Sequence, residues 1–157
     1  MTGSRAEVAV DKVHRGDLAG IGELEKASFA DPWSPASFEQ ILDEPAVFFG
    51  VARASETNAV LGYVVAWFAA DEGEIANLAV REPTRRRGIG AALLDATLNE
   101  AKRRGALLMF LEVRQSNEAA RGLYASRGFE EVGRRSKYYR HPVEDAIILR
   151  RELGGQD

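Results

Sequence analysis

Cysteine is absent from the 157 residues, histidine occurs only twice, and no run of like charge exceeds three residues. Without thiols the chain has no disulfide framework, no thiolate zinc site and no cysteine nucleophile, and it suits a reducing compartment. His14 and His141 stand far apart, without His-Glu-x-x-His spacing. That argues against both a zinc site and a Ser-His-Asp triad, which hold imidazole beside fixed partners. Catalysis, if there is any, falls to carboxylates, phenols or backbone amides. The longest apolar stretches, such as Val60 to Ala70, fall short of the roughly 20 residues that span a bilayer. The N-terminus also lacks a basic-then-apolar secretion signal, so the expectation is a cytoplasmic protein with no membrane contact.

What is present fits one globular domain over residues 1–157, apart from a few disordered residues at the C-terminus. Hydrophobic residues make up 45% and charged residues 29%, with 15 glycines and no low-complexity segment. Charge is unevenly placed. Residues 1–80 carry 5 Lys and Arg against 13 Asp and Glu, and residues 81–157 carry 16 against 11. A basic half around a glycine-rich turn suits a small polyanionic ligand, and an acidic half suits a cationic partner. Nucleic-acid binding is disfavoured, because the net charge is −3 and aromatics do not interleave the basic residues.

Periodicity and punctuation give the element order β-α-α-β-β-β-α-β-α-β-β, a mixed α/β sandwich. A first strand lies near Glu7 to Val10, and Asp17 is placed to cap a helix running to Ser28. Ser34 followed by Pro35 starts a second helix that stops before Pro45. Ala46 to Arg53 and Val60 to Ala69 read as an antiparallel pair, followed by a strand from Glu74 to Val80 after a turn at Asp71-Glu72-Gly73. Gly88 to Arg104 is an amphipathic helix stopped by Gly105, and Leu107 to Val113 is a buried strand. Asn117 caps a further helix ending before Gly128, and Phe129 to Arg134 and Asp145 to Arg151 are the last strands.

The densest chemistry is Arg85-Arg86-Arg87-Gly88-Ile89-Gly90-Ala91 between a strand and a helix. The first amides of a helix have no intrahelical acceptor, so a pyrophosphate there meets N–H donors, the positive end of the dipole and guanidinium groups. No Walker A string occurs. A dinucleotide fingerprint is met only in Gly88-Ile89-Gly90 and in a later acid at Glu112, because Leu93 stands where the third small residue belongs.

Taken together, several strings resemble the GNAT N-acetyltransferases. They are Asn77-Leu78-Ala79-Val80, Arg86-Arg87-Gly88-Ile89-Gly90, Leu111-Glu112-Val113-Arg114-Gln115-Ser116-Asn117 and Leu123-Tyr124. Pro32-Trp33-Ser34, Tyr138-Tyr139 and Glu144-Asp145-Ala146-Ile147 extend the likeness to the RimI type, which acetylates the N-terminal alanine of a small-subunit ribosomal protein. The resemblance implies a mostly antiparallel sheet of about seven strands, with a central parallel pair splayed at the cofactor cleft, and about four helices. It implies acetyl-CoA as cofactor, bound by the backbone of Leu78, Ala79 and Val80, by Arg86 through Ala91 and by Asn117. It also implies Glu112 as general base, Tyr124 as general acid, and an acceptor cleft flanked by Trp33, Ser34, Tyr138 and Tyr139. No metal is required.

The resemblance implies a protein N-terminus as acceptor, and the chemistry accommodates it: an α-amine has a pKa of about 7.7–8.0 against about 10.4 for lysine and needs only a modest base. Arg135-Ser136-Lys137 and His141-Pro142-Val143 depart from the subfamily's pattern and touch the substrate reading rather than the cofactor reading. Two alternatives keep the same cofactor site: acetylation of a lysine side chain or small amine, and a non-catalytic acyl-CoA-binding module. Blocking the peptide N-terminus separates the first, and loss of turnover on changing Glu112 or Tyr124 separates the second.

Overall fold

In a computed structural model, residues 8–81 and 88–154 are described. The expectations for Arg86, Arg87 and the last residues of the chain therefore lie outside the described residues. Seven strands form one sheet in the order β1-β2-β3-β4-β5-β7-β6. They are β1 (Val10–Lys12), β2 (Val47–Arg53), β3 (Val60–Ala69), β4 (Glu72–Val80), β5 (Leu108–Arg114), β6 (Glu130–Arg140) and β7 (Val143–Glu152). The helices are α1 (Leu18–Ser28), α2 (Pro35–Ile41), α3 (Ile89–Arg103) and α4 (Glu118–Ser126). Among the described residues only β4 and β5 pair in parallel, as expected of the strand-helix-strand crossover through α3.

Both faces of the sheet are covered, which explains why β3 reads as a nearly unbroken apolar run. Val64 and Ala66 point into a core with Leu93, Leu94 and Leu98 of α3, Met109 and Leu111 of β5, and Tyr124 of α4. Tyr63 and Val65 point the other way, to Ile21 of α1 and to Phe38 and Ile41 of α2. Among the described residues no helix is long and apolar enough to cross a membrane.

Most punctuation signals act where the sequence places them. Ser34 caps α2 by accepting the Ser37 amide at 3.2 Å, with Pro35 in the first turn. Trp33, just before the cap, packs on Phe38 at 5.3 Å between ring centroids, a hydrophobic staple. Gly105 and Gly128 adopt φ of 81° and 87°, and each ends its helix in a Schellman motif. The bonds are Ala106 N–H to Ala101 O at 2.9 Å and Phe129 N–H to Tyr124 O at 3.1 Å.

Three expectations are corrected. Asp17 does not cap α1 with its side chain. It closes a 3-10 turn (Arg15–Asp17), and its carboxylate takes a fork of two hydrogen bonds from Arg53, at 2.8 and 2.7 Å, plus the His14 amide. β4 begins at Glu72, because the turn falls on Ala70 (φ 53°) and Asp71. β6 runs on to Arg140: Ser136, Lys137 and Tyr138 stand opposite Asp145 alone, whose carboxylate accepts the Lys137 amide at 2.9 Å. The first strand is described from Val10 to Lys12, and Glu7 of its expected span lies outside the described residues.

One glycine sets how closely α3 approaches the sheet. A Cβ on Gly62 of β3 would stand 2.9 Å from the Ala79 carbonyl oxygen and 2.9 Å from Leu93 Cδ1. Gly62→Ala is expected to lower the unfolding free energy by about 1–3 kcal/mol, read from urea denaturation. An unchanged midpoint would mean that α3 shifts without cost.

Candidate active site

The parallel pairing of β4 with β5 stops early. Its register runs from Glu72–Leu108 to Ile75–Leu111 and goes no further. Beyond that point Ala76 bulges out of β4, since Val65 pairs with Asn77 and Ala66 with Ile75. β4 then stays with β3, while β5 stays with β7 through Glu112–Ile148, Val113–Ile147 and Arg114–Ala146. A wedge opens between them and continues into a cleft of about 510 Å³ lined by residues of β4, β5, α4, the α1–α2 connection and the β6–β7 end.

Backbone alternation decides what the wedge offers. Arg81 N–H donates to Leu61 O at 2.8 Å, which makes Gly62–Val80 a non-hydrogen-bonded pair and Tyr63–Ala79 a hydrogen-bonded one. Ala79 therefore spends its main chain on β3, and Leu78 and Val80 direct theirs toward β5. At the mouth, Gly88 takes φ 79° and Ala92 N–H closes the first helical bond to Gly88 O. The amides of Ile89, Gly90 and Ala91 thus have no intrahelical acceptor. Gly90 lies under α4, where a Cβ would be 3.2 Å from Leu123 Cδ2. α3 carries no acidic residue in its first turn, so the helix itself sets no carboxylate against its positive end, which favours an anion.

Glu112 and Tyr124 flank the wedge from opposite faces of the sheet. Leu111 and Val113 point into the α3–α4 core, so strand alternation turns Glu112 to the other face. Its side chain is 19% exposed and ion-paired with Arg135 of β6. Burial and the Glu112 charge raise the pKa of Glu74 on the neighbouring strand, and the same charge raises that of Tyr138. Tyr124 belongs to the α3–α4 core and is 6% exposed. Its carbonyl is held by the Schellman motif, and its ring packs edge-on against Phe129 at 5.8 Å. Burial pushes its hydroxyl up to about 12, and no described residue hydrogen-bonds that hydroxyl.

The remaining predicted residues divide. Trp33 and Tyr139 line the cleft, as do Leu78 and Asn117. Asn117 also caps α4, accepting the Ala120 amide at 3.2 Å. Tyr139 lies under the Arg114 guanidinium at 4.3 Å, and burial pushes its pKa up to about 12. Ser34 points its hydroxyl into the α2 cap, Tyr138 is half exposed beside Arg135, and neither lines the cleft. Sequence reasoning missed Glu25, Asn77 as a side chain, and Arg135. For Glu25 a signal existed: it follows Leu18 and Ile21 on the inward stripe of α1, where a carboxylate is out of place.

These features can be set beside known proteins. The model of the acetyltransferase (GNAT) family matches residues 18–129. N-alpha-acetyltransferase RimI of Mycobacterium tuberculosis is 36% identical over 160 residues, which span 98% of each chain. The crystal structure of the ribosomal-protein-S18-alanine N-acetyltransferase from Escherichia coli superposes with a TM-score of 0.86 at 29% identity, covering 96% of this chain and 97% of that one. Arabidopsis thaliana NAA60 in complex with acetyl-CoA shares the fold, with a TM-score of 0.84 at 18% identity over 95% of this chain and all of that one. The wedge, the uncapped helix start and these likenesses agree: the chain belongs to the acetyltransferase (GNAT) family.

Proposed function

We infer that this chain is an acetyl-CoA-dependent N-terminal acetyltransferase, and that its acceptor is the N-terminal alanine of small-subunit ribosomal protein S18. The observation that carries the reading is the wedge between β4 and β5, with Glu112 on one face of the sheet and Tyr124 on the other. Direct transfer asks for that arrangement, because the proton leaves the amine on one side and reaches the departing sulfur on the other.

The donor site fits acetyl-CoA. The amides of Ile89, Gly90 and Ala91 are assigned to the diphosphate, together with Arg86 and Arg87, and the side chain of Asn117 to the arm of the cofactor. Leu78 turns its main chain to the wedge and is assigned to the arm of the cofactor, Val80 borders the same opening, and Ala79 keeps that strand in place. When bound, acetyl-CoA supplies a thioester carbonyl open to attack by an amine. An α-amine with a pKa of about 7.7–8.0 is about a tenth to a fifth neutral at pH 7, so Glu112 has a modest task as proton acceptor, directly or through water. Arg135 has to yield as the amine approaches, since it occupies the carboxylate. Tyr124 keeps its proton across the working pH range, because its pKa lies near 12, and it is the donor assigned to the leaving thiolate.

Trp33 of the α1–α2 connection and Tyr139 of β6 wall the acceptor side and favour a small first residue, with Ser34 and Tyr138 assigned to support them from the adjacent positions. We assign residues 1–157, the last few excepted, to a single acetyltransferase domain. We assign it to the cytoplasm, where ribosomal proteins are made, with neither nucleic acid nor membrane taking part.

Two outcomes are expected. Glu112→Gln should lower kcat/KM about 10²-fold or more and Tyr124→Phe about tenfold or more, with coenzyme A affinity by calorimetry held near wild type. Unchanged turnover in both variants would remove the assigned roles. In a second assay, radiolabel from acetyl-CoA should enter a peptide beginning with alanine only while its N-terminus is free. Label on the N-blocked peptide would point to lysine as acceptor.

A further inference from the structure

Glu25 of α1 is 1% exposed, the most deeply buried charged side chain among the described residues. A buried carboxylate survives only if its lone pairs are satisfied, and three neutral groups do this. Trp33 donates its amide to Oε2 at 2.8 Å, and Asn77 Nδ2 donates to Oε1 and Oε2 at 3.0 and 3.2 Å. The Tyr63 hydroxyl donates to Oε1. Burial and the carboxylate together raise the pKa of that hydroxyl far above the ordinary tyrosine value, so it stays a donor.

The three donors sit on different parts of the fold. Tyr63 is on β3, Asn77 directly follows the bulge of β4, and Trp33 belongs to the connection between α1 and α2. Among the described residues, both hydrogen bonds that tie residues 29–33 to the rest of the chain end on Glu25. Phe29 N–H reaches its carbonyl at 3.0 Å, and Trp33 N–H reaches its carboxylate. That connection brings Phe29, Asp31 and Trp33 to the cleft, opposite Leu78, the residue after Asn77.

We propose that Glu25 is a positioning residue for acceptor selection: by binding the Trp33 amide and the Asn77 side chain at once, it fixes the distance between the α1–α2 connection and the bulged strand. The mouth of the acceptor cleft then has one width, and a small first residue is preferred. This rests on the reading that the cleft receives a protein N-terminus. Glu25 takes no proton from the substrate and meets it only through Trp33 and its neighbours.

The test uses the full chain carrying Trp67→Phe, which leaves Trp33 as its only tryptophan. Acrylamide quenching reports the connection, calorimetry reports coenzyme A binding, and kinetics compare peptides beginning with Ala and with Leu. In Glu25→Ala, Trp33 quenching should rise and acceptor KM should increase about tenfold or more, while kcat and coenzyme A affinity stay within about threefold. The Ala-over-Leu preference should shrink by a similar factor. Glu25→Gln should restore near-parental values, because its oxygen still accepts from Trp33 once the Asn77 amide turns over.

Where Glu25→Ala does not fold, Asn77→Ala and Tyr63→Phe each remove one donor and should move quenching and acceptor KM in the same direction. Unaltered quenching and selectivity in a folded variant would overturn the proposal. So would a Glu25→Gln enzyme that binds coenzyme A normally and loses kcat, since the charge itself would then be needed. Quenching requires no acceptor, so a parent that acetylates no peptide would sink the substrate reading while the role of Glu25 in holding the connection was still decided.

Discussion

A parallel strand pair that stops pairing halfway is the constraint on which the site depends. From Glu72 to Ile75 the fourth strand is bonded on both edges; after the bulge at Ala76 its ladder continues with β3 and no longer with β5. A buried sheet ordinarily pairs its backbone donors from strand to strand, so an interior wedge where that pairing stops is a place for a ligand that brings its own acceptors. Because the wedge lies inside the sheet rather than at its edge, groups on the two faces can act on one reaction centre without meeting each other.

Everything around the wedge holds its walls in place. Gly62 lets α3 sit against β3, which brings the start of that helix to the open end. The Schellman motif at Gly128 ties Phe129 to the Tyr124 carbonyl and fixes the register of α4, so the tyrosine ring enters from the core side. On the opposite face, Arg135 reaches Glu112 from β6, and the Glu25 carboxylate draws the α1–α2 connection against β4. Cofactor and acceptor are thereby assigned to different walls, one made largely of backbone and the other of side chains.

How much of this was legible in the sequence follows from range. Local signals read well: Ser34-Pro35, Asn117, Gly105 and Gly128 act through neighbours within a few residues, and the apolar stripes of α3 and β5 name their own inward faces. The motif strings name Glu112 and Tyr124, and the fold places those two on opposite sides of one opening. Side-chain bonds between distant segments did not read. Asp17 looked like a cap because no local feature reveals Arg53, 36 residues away, and nothing near Glu25 announces Asn77, 52 residues on. The second half of β6 escaped for a different reason: its residues from Arg135 to Arg140 are polar or aromatic without alternation, and its pairing is interrupted by three unpaired positions opposite Asp145.

The central claim is that donor and acceptor meet through the wedge from opposite faces of the sheet. A crystal structure with a peptide linked to coenzyme A through its N-terminal nitrogen tests it most directly. The account predicts the diphosphate on the amides of Ile89 to Ala91, the linker passing between Leu78 and Glu112, and the peptide leaving past Trp33 and Tyr139. A compound bound with both halves on one face, or with its diphosphate away from the start of α3, would contradict it.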